Sequence, residues 1–138
     1  MNVNKQVQVV IYDEVLGKTK ILLVKKLDLK NYTLHWRLLK GSMEENEDER
    51  KALAREIFEE VGLSNVQIGR KIYEYDFEFL GTTNKVQTFD VHADSSQALK
   101  IQTSEIADAS WVSMEDARKI LYWKHEKAAV EEFVKYHQ

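Results

Sequence analysis

An apolar stripe that runs through a strongly acidic segment constrains the fold of this chain more than any other feature. Residues 41–63 contain eight acidic side chains and three basic ones, a net charge of −5, whereas the whole chain carries −3. Within the segment, Leu53, Ile57 and Val61 recur every four residues. Apolar side chains at this spacing lie on one face of an α-helix. The sequence therefore predicts a helix over 47–61.

The limits of this helix and the width of its apolar face follow from nearby residues. Gly62 stands directly after the last apolar position, where a C-cap glycine is common. Ala54 and Phe58 are expected to widen the apolar face. We therefore expect the helix to be anchored to a sheet by this face and to end at Gly62.

The predicted helix also gathers carboxylates on one side. Because each helical residue turns by about 100°, Glu56, Glu59 and Glu60 fall within about 100° of one another. Such like charges destabilise a helix, unless a cation lies among them. Carboxylate oxygens suit Mg²⁺ or Mn²⁺. The alternative is a solvated charged face, on which the three basic residues of the segment pair with the acids.

Strands and helices alternate along the rest of the chain. Two apolar runs predict a strand pair, a later run with alternating acids predicts a hairpin, and a last short strand precedes two helices. The strand pair is expected at 7–12 and 20–25, the hairpin at 72–80 and 86–93, and the last strand at 109–112. The two helices are expected from the cap at Ser113 to about Tyr122 and at 124–136. Strands mixed with helices indicate an α/β or α+β fold.

Composition restricts the compartment and the partners. With 138 residues, 43% of them hydrophobic and 31% charged, the chain is expected to form one globular domain over 1–138. It has no cysteine, and no apolar run suits a signal peptide or a membrane span, so we expect a cytoplasmic protein. A sequence pI near 5.8 argues against DNA binding, although a metal ion can still recruit a nucleotide.

The spacing of the acidic segment matches a known signature. Gly41 is followed after five residues by Glu47, and after seven more by the run REIFEEVGL, which ends at Leu63. This is the Nudix box, G-x5-E-x7-R-E-U-x-E-E-x-G-U, with U an aliphatic residue. The chain therefore resembles the Nudix hydrolases, and the order of its predicted elements extends the resemblance over nearly the whole sequence.

The resemblance implies a fold and a reaction. Nudix proteins are α/β/α sandwiches with a mixed β-sheet between helices. They hydrolyse a nucleoside diphosphate linked to a further group X, and water attacks a phosphorus with the help of divalent metal. A bound metal ion neutralises phosphate oxygens and activates water, so carboxylates on one helix face suit this chemistry. We accordingly expect Mg²⁺ or Mn²⁺ as cofactor and a small nucleotide as substrate.

Site residues follow from the resemblance position by position. The implied metal ligands are Glu56, Glu59, Glu60 and the backbone carbonyl of Lys40. Arg55 would hold a glutamate by a bidentate pair, and Glu47 would orient Arg55 or bind metal through water. Glu105, in a loop before the last strand, is the implied general base and a further metal ligand, with Glu56 as the other candidate for base.

Three further stretches resemble the asymmetrical diadenosine tetraphosphate hydrolases, and they imply the substrate contacts. They are HWRLLKG at 35–41, the hairpin lysine Lys85 and the start of the last helix at 123–130. They imply that Lys85 contacts phosphate, that Lys40 binds the substrate, and that Tyr122 or Trp123 stacks on a base, which is worth roughly 1–3 kcal/mol. Trp36 either packs at the end of the sheet or stacks on a base. Departures are Leu39 for the usual proline, Ser42 for histidine and Asn46 for glycine.

Other readings of the substrate and of the remaining side chains stay open. The chain could cleave nucleoside triphosphates, remove pyrophosphate from RNA 5′ ends, or sense a nucleotide without cleaving it. A monomer or a homodimer is compatible with the sequence. The aromatic residues of the hairpin are expected to pack in the core, and the four histidines, which lack metal-ligand spacing, are expected to be structural; the hairpin aromatics are Tyr75, Phe77 and Phe79.

Overall fold

Seven strands and three helices form over residues 2–137, which the computed structural model describes. Met1 and Gln138, the ends of the predicted domain, lie outside the described residues. The elements are β1 Asn2–Val15, β2 Lys18–Asp28, β3 Thr33–Arg37, β4 Leu39–Ser42, α1 Glu49–Val61, β5 Val66–Phe79, β6 Thr82–Ala93, β7 Asp108–Ser113, α2 Met114–Ile120 and α3 Lys124–Tyr136. The predicted strands are all present but longer, and α2 ends before the predicted Tyr122.

The strands make one mixed sheet. Its main path is β3-β2-β1-β6-β5, β4 pairs with β1, and β7 pairs with β2. The neighbours β1 and β6 are parallel, and the remaining pairs are antiparallel. Strand β1 divides its pairing, because β4 binds its residues 6–9 and β2 binds its residues 11–15. The chain continues from β4 through a short loop into α1.

Helices cover both faces of the sheet. Alternate residues of β1 point to opposite faces, so Val9 packs against α1 whereas Val10 packs against α2 and α3. The first core includes Leu53 and Ile57 of α1, and the second includes Phe133 of α3. This arrangement confirms the predicted α/β/α sandwich. No helix within residues 2–137 is long and apolar enough to cross a membrane.

Helix α1 begins two residues later than predicted because Asp48 is its N-cap. The Asp48 carboxylate accepts a hydrogen bond from the Lys51 backbone N–H at 2.8 Å. At the other end Gly62 adopts the left-handed conformation, with φ 77°, and donates its N–H to the Phe58 carbonyl at 3.0 Å. The predicted glycine cap is therefore present.

The buried arc of α1 differs from the predicted apolar face. Phe58 is 59% exposed and Ala54 is also exposed, so the prediction that they widen this face is wrong. Ala52, Leu53 and Ile57 face the sheet instead. At about 100° per residue, Glu60 lies inside their arc and Phe58 lies outside it. The rotation of the helix thus buries a glutamate.

Gly62→Ala is expected to destabilise the protein more than Gly17→Ala. Both glycines have φ near 77°, where a side chain costs roughly 1–3 kcal/mol. A Cβ at Gly62 would also lie 2.8 Å from the Lys100 Cβ, whereas one at Gly17 would meet nothing within 4 Å. Urea unfolding of both variants would measure the difference. Equal losses of unfolding free energy would contradict a close contact between α1 and the Lys100 segment.

Candidate functional site

Arg55 gathers three carboxylates at the start of the acidic helix. Its Nε and Nη2 donate to the two oxygens of Glu47 at 2.6 and 2.9 Å, which is a bidentate pair. Its Nη1 donates to Glu56 at 2.9 Å and to Glu59 at 3.3 Å. Nη2 also reaches the Ser42 carbonyl at 3.0 Å. The guanidinium therefore joins the loop after β4 to α1.

Electrostatics in this cluster favour a charged Glu47. Hydrogen bonds from Arg55 and from the Glu44 backbone N–H lower the pKa of Glu47 to about 2. Burial instead raises the pKa of Glu56, although Arg55 opposes the effect. Two carboxylates held by one arginine thus differ, because Arg55 donates two hydrogen bonds to Glu47 and only one to Glu56.

Glu60 is the buried acid of the site. Its side chain is only 3% exposed, and Lys26 of β2 donates to Oε1 at 3.3 Å. The other oxygen, Oε2, has no hydrogen-bond partner among the described residues. The pKa of Glu60 is raised to about 7, chiefly by burial. The charge of Lys26 opposes this rise, and the neighbouring Glu105 carboxyl adds to it. An unpaired buried oxygen is costly unless something binds it.

A loop brings Glu105 to Glu60 from a distant part of the sequence. The Lys100 N–H donates to the Val61 carbonyl at 2.8 Å, and the Gln102 N–H donates to the Glu60 carbonyl at 3.0 Å. These bonds tie the loop to the end of α1, and buried Ile106 anchors its far end. Glu105 itself is exposed. It is therefore placed to meet both water and the acidic cluster.

Gly41 allows β4 to approach Glu56 closely. A Cβ at this position would lie 2.2 Å from the Glu56 carboxyl carbon, so no larger residue fits without moving the side chain. The close approach requires glycine for space rather than for a positive φ. The backbone after Lys40 thereby touches the acidic cluster directly.

The donor set suits a hard divalent cation. Within residues 2–137 no three side chains of His, Cys, Asp or Glu already converge as a metal site. Arg55 and Lys26 hold the carboxylates instead. The unpartnered Glu60 Oε2 and the Glu56 carboxylate against Gly41 offer oxygen ligands alone, which Mg²⁺ and Mn²⁺ prefer. These observations fit such an ion, with Glu56, Glu59 and Glu60 as the residues that could hold it.

A cavity of about 440 Å³ lies across β4 from the acidic cluster, between β5, the strands β3 and β4, and the start of α3. Its walls mix aromatic rings, cations and acids; they are Asp28, Lys30, Arg37, Lys40, Tyr75, Phe77, Glu78, Phe79, Trp123, His125 and Glu126. The expectation that the hairpin aromatics pack in the core is wrong. They line this cavity instead.

The cavity wall contains a pair of stacked rings and a lysine that makes no salt bridge. Tyr75 stacks on His125 with ring centroids 4.1 Å apart, so this histidine is part of the wall. The Lys40 ammonium lies 4.8 Å from the centre of the Phe77 ring and makes no salt bridge within the described chain. Burial, together with the charge of Arg37, lowers the pKa of Lys40 to about 8.

A buried ion pair forms the wall at α3. Arg37 donates twice to Glu126 Oε2, at 3.1 and 2.9 Å, and the Leu38 backbone N–H donates to Oε1 at 2.8 Å. The guanidinium also lies 4.0 Å from the centre of the Trp123 ring. Glu126 is 2% exposed. The pair fixes the start of α3 against the segment that leads into β4.

Three predicted substrate contacts lie outside this cavity. Lys85 pairs with Asp76 at 3.3 Å, on the opposite face of the hairpin from Tyr75 and Phe77. Trp36 packs against the second core, as one of its two readings expected. Tyr122 is 64% exposed and contacts His35 and Trp123 instead. Of the predicted contacts, only Lys40 and Trp123 line the cavity.

Sequence reasoning missed Arg37, His125 and Glu126. Arg37 is a single cation between Trp36 and two leucines, so no spacing pattern marks it. Glu126 stands in the first turn of a helix, where an acid usually favours the helix dipole and remains in water. A run that mixes Trp123 with His125 is the one signal that could have indicated a wall of rings.

Comparisons with known proteins agree with this geometry. The family model of the NUDIX domain matches residues 4–133. A C. elegans Ap4A hydrolase has a TM-score of 0.83 at 23% identity and 97% coverage of both chains. E. coli dihydroneopterin triphosphate pyrophosphohydrolase has a TM-score of 0.74 at 19% identity, with 96% of this chain and 95% of that one covered.

A third solved structure is a NUDIX domain with a bound nucleotide. It belongs to Shewanella oneidensis NrtR complexed with ADP ribose, and it has a TM-score of 0.74 at 18% identity, with 100% of this chain and 90% of that one covered. No curated protein sequence matches the chain. At these identities the structural likeness establishes the fold, and the family match concerns nearly all of the sequence.

Glu60 is expected to make the metal-free protein less stable as pH rises from about 4.5 to 7. The folded state keeps the Glu60 proton up to a pKa of about 7, while the unfolded chain releases it near 4.5. The resulting loss in unfolding free energy is on the order of 2–3 kcal/mol. Calorimetry in a chelating buffer would measure it. Glu60→Gln should flatten the decline, whereas the exposed control Glu45→Gln should not; an equal decline in both variants would contradict the assignment.

Proposed function

The chain belongs to the Nudix family of pyrophosphohydrolases, and from this premise we propose that it hydrolyses dinucleoside polyphosphates. Diadenosine tetraphosphate would give ATP and AMP. The observation that carries the proposal is the cavity of about 440 Å³ across β4 from the acidic cluster, walled by rings and by the cations Arg37 and Lys40. The acidic cluster suits the cleavage of a pyrophosphate link, and the rings and cations of the cavity suit a nucleotide that stays attached to that link.

The acidic cluster would perform the cleavage. Nudix hydrolases use divalent metal ions, and here we propose Mg²⁺ or Mn²⁺ at Glu56, Glu59 and Glu60, with the Lys40 carbonyl and Glu105 as further ligands. When bound, the ion would neutralise phosphate oxygens and favour a nucleophilic water. Glu105, which is exposed beside Glu60, would accept the proton of that water. Arg55 would keep Glu56 and Glu59 in place, and Glu47 would orient Arg55.

The cavity would hold the remaining nucleotide. Phe77 and Tyr75 offer ring faces for a base, and Trp123 closes the opposite wall. Lys40 lies between the two regions, because its side chain lines the cavity while the next residue, Gly41, contacts Glu56. A phosphate chain that crosses β4 at Lys40 would therefore link the cleaved bond to the bound base.

A second candidate is the hydrolysis of nucleoside triphosphates to a monophosphate and pyrophosphate. The position of Lys85 favours it. Its pairing with Asp76 on the other hairpin face removes from the cavity the cation that the longer substrate was expected to use. A triphosphate has fewer phosphates to hold, and Lys40 with Arg37 would suffice. The two candidates share the acidic cluster and differ in their products.

Mg²⁺ is expected to raise the thermal stability of the wild-type protein at pH 8 and to raise that of Glu60→Gln much less. The reason is that an ion which binds only the folded state stabilises it more when it binds more tightly, and Glu60 supplies a buried ligand oxygen. Differential scanning fluorimetry with and without Mg²⁺ measures this without any substrate. Glu59→Gln should in addition lower turnover by at least 100-fold, as expected for a group that acts in the transition state. The same Mg²⁺ shift in Glu60→Gln and wild type would refute the metal site.

Product analysis is expected to separate the two candidates. The protein would be supplied with Mg²⁺ and, in parallel, diadenosine tetraphosphate, nucleoside triphosphates and ADP-ribose, and the products separated by chromatography. ATP and AMP in equal amounts, with slow turnover of the other two compounds, would support the dinucleoside reading. Pyrophosphate from a triphosphate would support the second candidate. Binding with no cleavage of any of the three would contradict both and favour a sensor.

A further inference from the structure

We propose that Arg37, positioned by the buried Glu126, is a specificity-determining contact for the phosphate chain of the substrate on the cavity side of β4. The inference rests on the proposed function, because it takes the cavity as the place of the second nucleotide. It adds a residue that the family signature does not specify. It also assigns to Glu126 the role of a positioning residue rather than of an ordinary helix-start acid.

The guanidinium of Arg37 is held with one edge unused. Nε and Nη2 both donate to the same oxygen of Glu126, at 3.1 and 2.9 Å. Nη1 makes no hydrogen bond to any of residues 2–137, and the side chain lines the cavity. The plane of the group is meanwhile supported by the Trp123 ring at 4.0 Å. A donor that is fixed in orientation and left open is well suited to a phosphate oxygen.

Glu126 fixes this orientation because each of its oxygens has a separate task. Oε2 accepts both bonds from Arg37, and Oε1 accepts the Leu38 N–H at 2.8 Å. The side chain is 2% exposed, so water does not compete for it. Burying an ion pair rarely stabilises a fold relative to apolar residues of similar size. The pair is therefore better explained by placing Arg37 than by stability.

The positive charge of the cavity wall is unbalanced only locally, beside Arg37. Three cations, Lys30, Arg37 and Lys40, and three acids, Asp28, Glu78 and Glu126, line the wall, but only Glu126 pairs with Arg37, and Lys40 makes no salt bridge among the described residues. The acids of the cavity, Asp28 and Glu78, make no salt bridge to either cation. An anionic group between Arg37 and Lys40 would neutralise this excess. The chemistry indicated is a phosphate of the substrate outside the cleaved link.

Removal of Arg37 is expected to weaken phosphate binding without slowing the chemistry. A hydrogen bond between charged groups contributes about 1.5–3 kcal/mol, so Arg37→Gln should raise KM for diadenosine tetraphosphate roughly 10- to 100-fold. Because the contact lies away from the cleaved bond, kcat should change by less than about 3-fold. Arg118→Gln is the matched control, since Arg118 forms a similar two-bond pair with Glu131 outside the cavity. An unchanged KM in Arg37→Gln would overturn the proposal.

The variant Glu126→Gln tests whether Glu126 acts by orienting Arg37 or only through its negative charge. Removing a negative charge makes the cavity more positive, so if charge alone mattered, phosphate would bind more tightly. If Glu126 positions Arg37, phosphate should instead bind roughly 10-fold more weakly, because the guanidinium loses its fixed orientation. Calorimetric titration with inorganic tripolyphosphate in a chelating buffer measures this binding without metal and without turnover. Tighter binding would overturn the positioning role.

Arg37→Lys decides the matter if Glu126→Gln does not fold. Lysine keeps the charge but cannot make the same two fixed hydrogen bonds. Arg37→Lys should therefore recover only a small part of the tripolyphosphate affinity that Arg37→Gln loses. Full recovery would contradict positioning by Glu126. Failure of the proposed function is distinguishable, because it would appear as the absence of ATP and AMP from the dinucleotide while tripolyphosphate still bound through Arg37. If the dinucleotide is cleaved normally but tripolyphosphate binds equally well with and without Arg37, only this inference is overturned.

Discussion

The attraction between one guanidinium and three carboxylates organises the functional end of this protein. Arg55 holds Glu47, Glu56 and Glu59 within hydrogen-bond distance and also binds the Ser42 carbonyl. Without this cation the acids would repel one another along the helix. The same bonds fasten the loop after β4 to α1. Local chain direction and the charge of the candidate metal site therefore depend on a single side chain.

The two regions of the site are joined across β4 rather than along one surface. Successive residues of a strand point to opposite sides, so Lys40 faces the cavity while Gly41 meets Glu56 of α1. Each region has its own buried acid with a cationic partner. Glu60 binds Lys26 and keeps an unpaired oxygen, whereas Glu126 binds Arg37 and has both oxygens occupied. The first arrangement suits a ligand ion, and the second suits holding another side chain still.

Sequence and structure agree most where the signal is local. The helical period of Leu53, Ile57 and Val61, the cap at Gly62 and the strand pattern of the hairpin all follow from backbone geometry over a few residues. Phe58 was misplaced because its position differs from the buried arc by less than one helical step, and only packing against the sheet decides the rotation. Lys85, which the resemblance implies as a phosphate contact, lies on the hairpin face opposite to Tyr75 and Phe77, because side chains alternate along a strand.

By itself the sequence determined the acidic helix, the mixed α/β architecture and membership in the Nudix family, because fixed spacings along the chain encode them. Tertiary structure alone decided which acids are buried and what lies beside them. Glu105 reaches Glu60 through a loop bonded to the end of α1, and Glu126 meets Arg37 across 89 positions of sequence. Burial and electrostatic partners depend on long-range packing, and no local pattern specifies which distant side chains will meet.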